Sequence, residues 1–305
     1  MGKVAFVFAG QGAQYPGMGR ELYEHSAAAR AVFDRAEAIR PGTLEMCFHG
    51  SAEALAQTVN TQPCLFVMDT ACAAAAVEAG VEPSFCAGFS LGEVAAAGFA
   101  GVMDFDQAFR FVVRRGERMQ ACAERVSGAM GAVLRLSPGA VEEICREFPD
   151  AAYPVNYNCP GQTVVACRAE IYDQLAARVS AEKGRMLRLN VSGAFHTPWM
   201  GEASRDLAEY LSGQRLGAAR IPLFANATAQ PYGADGAQLL SRQVSNPVRW
   251  QESVENMAGA GAEIFVELGA GKTLSGLIRK TIPGARVCNV EKPEDLAKLK
   301  EELSR

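Results

Sequence analysis

The sequence predicts an α/β fold, a mostly parallel sheet packed between helices and interrupted by a smaller α+β segment. Four stretches carry this expectation. Residues 3–8 and 263–268 are short runs rich in Val, Ile and Phe, as in strands buried on both faces. Residues 85–89 form a similar run that turns through Gly88-Phe89-Ser90-Leu91-Gly92 into an Ala-rich helical stretch at 93–100. Residues from about 127 to 190 follow a β-α-β-β-α-β order of their own, and they read as an insertion because sheet-and-helix material resumes after them.

At 305 residues, 49% of them apolar, the chain can bury the core of one large domain or of a large domain with a smaller companion. A net charge of −4 and a pI near 5.6 argue against nucleic acid or an anionic membrane as partner. No apolar run reaches the roughly 18 residues of a membrane span, and the apolar start at residues 4–9 is too short for a signal peptide. Nine cysteines are scattered without a C-x-x-C pair, which favours reduced, buried thiols in a cytoplasmic protein over disulfides or zinc.

In chain order, strand 3–8 runs into Gly10-Gln11-Gly12-Ala13-Gln14. A dinucleotide-binding G-x-G-x-x-G would need glycine where Tyr15 stands. Gln11 and Gln14 instead place amide donors and bare backbone at the mouth of the sheet, or simply make a polar turn. Residues 21–39 read as one helix carrying His25, and His49 lies in a Phe-His-Gly loop; both suit surface or structural histidines. Thr61-Gln62-Pro63 opens another helix, with proline near its first turn.

The elbow comes next. Gly88-Phe89-Ser90-Leu91-Gly92 is a G-x-S-x-G, a tight strand-to-helix turn that lifts one hydroxyl above the sheet. Its glycines avoid collisions with the neighbouring strand and helix, and the helix that follows points free N–H groups at whatever Ser90 attacks. An incidental serine in a Gly-rich turn is the alternative. Winding residues 103–120 at about 100° per residue puts Phe105, Ala108, Phe109, Val112, Gly116 and Met119 on one face, with Arg115 at its edge. A guanidinium there needs an anion, either an internal acid or a ligand carboxylate.

Within the insertion, strands at 131–136, 153–157, 163–167 and 185–190 alternate with helices ending near 148 and spanning 171–183, a ferredoxin-like order. At its exit His196 stands between Phe195 and Trp199, the one histidine placed where a cleft would form. It is preferred as a general base, a hydrogen-bonded histidine in a packed aromatic loop being the alternative. A strand at 221–225 follows, then Asn246-Pro247-Val248-Arg249-Trp250 before a helix. Gly269-Ala270-Gly271-Lys272-Thr273 mimics a phosphate loop, but Val266 stands where its first glycine belongs, so nucleotide binding is rejected. Residues 292–305 read as a charged surface helix.

With these motifs in this order from residue 4 to about 290, the chain resembles the malonyl-CoA:acyl carrier protein transacylases. These are the discrete acyltransferases of bacterial type II fatty acid synthesis, related to polyketide synthase acyltransferase domains. The resemblance implies an α/β-hydrolase-like core over residues 1–126 and 197–305, with the ferredoxin-like subdomain at 127–196. It implies Ser90 as the nucleophile that carries the acyl group, His196 as base and then acid, and Arg115 as the partner of the malonyl carboxylate. The backbone N–H groups of Gln11 and Leu91 would form the oxyanion hole, and carbonyls near Asn246 would orient the imidazole. Malonyl-CoA and an acyl carrier protein bearing phosphopantetheine are the implied substrates, exchanged by a ping-pong route without cofactor or metal. A cytoplasmic monomer without nucleic-acid or membrane partner completes the expectation.

Three positions depart from the family pattern: Phe89 replaces the His of G-H-S-x-G, Arg249 the Gln of Asn-Pro-Val-Gln-Trp, and Ala9 the Pro of Phe-Pro-Gly-Gln-Gly. Phe89 and Arg249 are expected near the serine and base, where they bear on substrate preference and rate. Phe195 is similar to the malonyl-selective polyketide pattern, a ring that leaves little room for an α-methyl. The rival readings are a trans-acting polyketide acyltransferase, a thioesterase or esterase, which would have no use for Arg115, and a non-catalytic docking subunit, against which Ser90 and His196 both count.

Overall fold

The computed structural model describes residues 2–191 and 193–304; Met1, Ser192 and Arg305, which fall within stretches read above, lie outside the described residues. Its strands are β1 Lys3–Phe8, β2 Phe85–Gly88, β3 Gly128–Leu134, β4 Ala152–Cys159, β5 Gln162–Arg168, β6 Arg185–Arg188, β7 Leu223–Phe224, β8 Ala262–Leu268 and β9 Arg286–Val290. They form two sheets. The first has the order β7-β2-β1-β8-β9, and every registered pair in it is parallel.

Strand β1 lies at the centre of that sheet, and its alternation explains the layers. Val4, Phe6 and Phe8 point into a core shared with Phe66 and Phe109 from two long helices, Thr58–Glu78 and Phe105–Arg125. Ala5 and Val7 point to the other side, against Trp250, Phe265 and Ile278. Residues two apart share a face of a strand, so one short run feeds both layers. A sheet covered on both faces puts its functional groups at the carboxyl ends of the strands, where the β2 turn lies.

The second sheet has the order β4-β5-β3-β6 and is antiparallel throughout. With helices Pro138–Arg146 and Tyr172–Ala181 in sequence between its strands, its β-α-β-β-α-β order is consistent with the ferredoxin-like insert expected. The helices cover one face through Val141, Ile144, Leu175 and Val179. The other face presents Met130, Ala132, Val164 and Ala166 to the main core, which brings this sheet over the β2 turn.

Several expected bounds move, each for a local reason. The helix foreseen at 21–39 is two, Arg20–His25 and Ala27–Ile39, because Ser26 leaves the helix and caps the second, its hydroxyl accepting from the Ala29 amide at 3.1 Å. The helix foreseen to open at Thr61 already begins at Thr58, with Pro63 inside it. The Val59 carbonyl that Pro63 cannot bond takes the Arg40 guanidinium, at 3.5 Å. The first strand of the insertion starts at Gly128 rather than 131, and its last ends at Arg188 rather than 190. His49 closes a helix, Thr43–His49, instead of standing in a loop, and the tail helix is Pro293–Leu303. Strand β9, at the sheet edge and only partly buried, was not foreseen. All nine cysteines are free, eight of them buried.

Candidate active site

The turn after β2 is as tight as its glycines require. A Cβ on Gly88 would sit 1.9 Å from the Gly92 carbonyl carbon, and one on Gly92 would sit 2.3 Å from the Phe8 oxygen. Ser90 takes φ 55° and ψ −107°, a strained conformation for a residue with a side chain. Its amide donates to Asn226 Oδ1 at 2.8 Å, and the Asn226 amide nitrogen Nδ2 donates to the Gly88 carbonyl at 2.6 Å. One asparagine thereby fastens both sides of the turn.

Ser90 Oγ lies 2.7 Å from His196 Nε2. His196 sits at φ 62° beyond the second sheet, its amide donating to the Val244 carbonyl at 3.1 Å. Its Nδ1 lies 3.0 Å from the Gln243 carbonyl and 3.1 Å from that of Asn246. Carbonyls only accept, so the ring proton resides on Nδ1 and Nε2 is left to accept the serine hydroxyl. Burial, and then the nearby Arg115 charge, push the imidazole down to about 4, against the pull of the two carbonyls, so it is neutral at ordinary pH.

Arg115 is fully buried. Its Nη1 donates to Gln62 Oε1 at 2.7 Å, and its Nη2 donates to Gln243 Oε1 at 2.6 Å and to Ser90 Oγ at 3.1 Å. Among the described residues its Nε has no partner, although buried. Burial lowers it to about 10 and the Glu93 carboxylate opposes that, so the guanidinium keeps its charge at neutral pH. A buried cation with an unused donor, touching the serine hydroxyl, has the chemistry to pair with an anionic group next to that hydroxyl. Sequence periodicity had placed Arg115 at the edge of an apolar stripe; the amides of Gln62 and Gln243 make that burial tolerable.

Gln11 lies in the turn after β1, its Nε2 reaching Thr58 Oγ1 at 3.5 Å. Leu91 opens the helix Leu91–Phe99, so its amide is one of the first four that a helix leaves unpaired. Gln14 turns away onto its own loop, accepting from the Gly12 amide at 2.8 Å. Two adjoining cavities of about 70 Å³ and 210 Å³ share Gln11, Phe89, Asn156 and Leu189. The smaller holds Ser90 and His196 and is walled by Met119, Met130 and Phe195; the larger is lined also by Asn158 and Gln162. Phe89 packs its ring on Trp250 at 5.6 Å between centroids and lines both.

Arg249 departs from its expected place. Its guanidinium bonds Glu252 at 2.5 Å and the Thr228 carbonyl at 3.4 Å on the exposed start of the helix Trp250–Gly259, and it lines neither cavity. The i, i+3 acid beside it offers a solvated partner that the buried site does not. Asn246 contributes its carbonyl to His196, while its side chain donates to the Arg242 carbonyl at 2.8 Å.

Sequence reasoning missed Gln62, Glu93, Asn226 and Gln243. Glu93 is buried and accepts from Tyr232 Oη, from the Asn226 amide at 3.1 Å and from Gln243 Nε2 at 2.6 Å. Burial raises its carboxyl while Tyr232, Gln243, Asn226 and Arg115 restrain it. The one signal available was polarity out of place, a glutamate in an Ala-rich helix and a glutamine ahead of Val244.

The phosphate-loop mimic holds no open anion site, because Glu267 already fills the start of the helix Thr273–Thr281, accepting from the Leu274 and Ser275 amides at 2.9 and 2.7 Å. Among the described residues no cluster of three or more His, Cys, Asp or Glu could hold a metal, and no helix is long and apolar enough to cross a membrane.

Residues 5–301 match the family model of the acyl transferase domain. The chain is 37% identical over 304 residues to the malonyl CoA-acyl carrier protein transacylase of Bacillus subtilis (strain 168), covering 97% of this chain and 96% of the relative. The MCAT crystal structure from Streptococcus pneumoniae superposes with a TM-score of 0.94 at 37% identity, covering 98% of this chain and 100% of that one. A malonyl-transacylase solved in complex with its type II PKS acyl-carrier protein superposes with a TM-score of 0.94 at 32% identity, covering 98% and 99%.

Proposed function

The chain belongs to the acyl transferase domain family, among its malonyl CoA-acyl carrier protein transacylases, and on that premise we propose that it moves a malonyl group from malonyl-CoA to the phosphopantetheine thiol of an acyl carrier protein through a Ser90 ester. The observation that carries the reading is the position of Ser90 Oγ, 2.7 Å from a neutral imidazole nitrogen and 3.1 Å from a buried guanidinium. A hydrolase needs the first contact and not the second.

The first half-reaction begins with the malonyl carboxylate pairing with Arg115, whose Nη2 gives up the serine hydroxyl to take it. Ser90 Oγ attacks the thioester carbonyl as His196 Nε2 takes its proton, and the amides of Gln11 and Leu91 receive the oxyanion. The C–S bond breaks and His196 returns the proton to the departing CoA sulfur. The second half-reaction runs the same steps backwards with the carrier thiol. Thioester and ester exchange without change of oxidation state, so the chemistry calls for no cofactor. Asn156 and Asn158, whose Oδ1 atoms are buried and without partners among the described residues, line the larger cavity, where their side chains would meet the amides of the pantetheine arm.

On this reading residues 1–126 and 197–305 form the catalytic part and 127–196 the part that closes over it, in a cytoplasmic monomer without nucleic-acid or membrane partner. Fatty acid synthesis is the pathway we assign. The likeness to a transacylase bound to a polyketide carrier favours polyketide supply as the second reading.

Intact mass after brief mixing with malonyl-CoA tests the proposal. The expected result is a malonyl adduct that needs Ser90 and is discharged by holo carrier protein. Steady CoA release with no adduct and no response to Arg115→Ala would replace it with a hydrolase.

A further inference from the structure

One buried residue, Gln243, contacts Ser90, His196 and Arg115. Gln243 Nε2 donates to the Ser90 carbonyl at 2.7 Å and to Glu93 Oε2 at 2.6 Å, its Oε1 accepts from Arg115 Nη2 at 2.6 Å, and its main-chain carbonyl lies 3.0 Å from His196 Nδ1. A primary amide is nearly symmetric in shape, so its two ends are told apart only by what they face. Turned over, Gln243 would set NH₂ against the guanidinium and oxygen against a carboxylate and a carbonyl.

Glu93 supplies one of the contacts that decide between these arrangements, beside the guanidinium, which can only donate, and the Ser90 carbonyl, which can only accept. It lines neither cavity, and it is itself held in place by Tyr232 Oη and by the Asn226 amide. Asn226 Oδ1 accepts in turn from the Ser90 amide and, at 3.3 Å, from Gln243 Nε2. Glu93 also places a carboxyl near enough to Arg115 to act on its charge. We propose that Glu93 is a positioning residue for acyl-group selection: by fixing which end of the Gln243 amide meets Arg115, it holds the guanidinium in the orientation that receives a carboxylated acyl group. The inference rests on the transacylase reading above.

Its signature is selective. If Glu93 acts through Gln243 and Arg115, Glu93→Gln weakens loading from malonyl-CoA, which uses the guanidinium, more than loading from acetyl-CoA, which offers no carboxylate. A misplaced charged hydrogen bond costs roughly tenfold or more, so the malonyl-to-acetyl ratio of kcat/KM falls by about that factor. Glu93→Gln keeps the shape but has one oxygen where the carboxylate uses two, Oε1 accepting from Tyr232 and Oε2 from both Asn226 and Gln243, so the contact that holds the Gln243 amide either loses its charge or becomes an opposing NH₂. In an Arg115→Ala background the same change has nothing left to misplace, so the two losses are not additive.

The experiment is single-turnover loading of Ser90 followed by intact mass, with malonyl-CoA and acetyl-CoA, on wild type, Glu93→Gln, Arg115→Ala and the double variant, each rate scaled to its folded fraction. A selective loss for malonyl that vanishes in the Arg115→Ala background bears the proposal out. Equal losses for both acyl groups, an unchanged ratio, or full additivity would overturn it. Wild type that loads no malonyl group at all overturns the transacylase reading instead, so the two failures are distinct.

Discussion

His196 Nδ1 is held by the main-chain carbonyl of Gln243, 3.0 Å away, so the imidazole that faces Ser90 is oriented by a dipole and not by a carboxylate. Without an adjacent anion only the Gln243 and Asn246 carbonyls oppose its burial and the repulsion from Arg115, and its pKa falls to about 4.

The pH dependence of loading follows from that value. His196 must be neutral to accept the Ser90 proton, so kcat/KM for malonyl-CoA rises with pH through the free-protein pKa near 4 and is level above about pH 5. Bound malonate offsets the Arg115 charge, so the acid limb of kcat lies at higher pH than that of kcat/KM. Stopped-flow loading between pH 4 and 8 measures both limbs, and a single limb near 6.5 in kcat/KM would contradict the buried, unpaired imidazole.

The wall beside His196 sets how large an α-substituent fits. Phe195 lines the cavity of about 70 Å³ that contains Ser90. Phe195→Ala is expected to raise loading from methylmalonyl-CoA relative to malonyl-CoA by roughly tenfold, the scale of one methyl group in an apolar pocket. Competition between the two thioesters, read as adduct masses, measures it.

Arg249 makes the opposite prediction. Its ion pair with Glu252 is largely exposed, so Arg249→Gln should leave loading unchanged and shift stability by no more than about 0.5 kcal/mol. Loading rates and a urea melt check this together.

Asp69 lies on the helix Thr58–Glu78, fully buried, and among the described residues neither of its oxygens has a partner. Burial, and then Glu267, raise its carboxyl well above the ordinary range. A folded pKa above the unfolded one means that the contribution is intact below the unfolded value and is lost as pH rises toward the folded one. Asp69→Asn removes that dependence, so its thermal midpoint relative to wild type should climb between pH 4 and pH 8. A difference that stays flat with pH would show that Asp69 does not titrate this way.

The chemistry that is contiguous in the chain was legible from the chain. The elbow around Ser90 declares itself within five residues, because the glycines, the strand before and the helix after are all local demands of one tight turn. Arg115 was readable from the period of a single helix, and the ferredoxin-like insertion from the order of its elements. The break at Ser26 and the edge strand β9 were not, since a capping hydroxyl can interrupt an amphipathic run and a half-buried edge carries a weak pattern.

Tertiary structure alone decided what surrounds the reacting atoms. Gln243 meets Glu93 across 150 positions and Ser90 across 153, and Gln62 meets Arg115 across 53. Side chains from separate elements that share one buried network leave no periodicity behind, so in the sequence each looks like any other polar residue. Arg249 teaches the same lesson from the other side. Standing three residues from Asn246, it belongs to the same motif, yet its direction was set by the nearest exposed acid, which no spacing records.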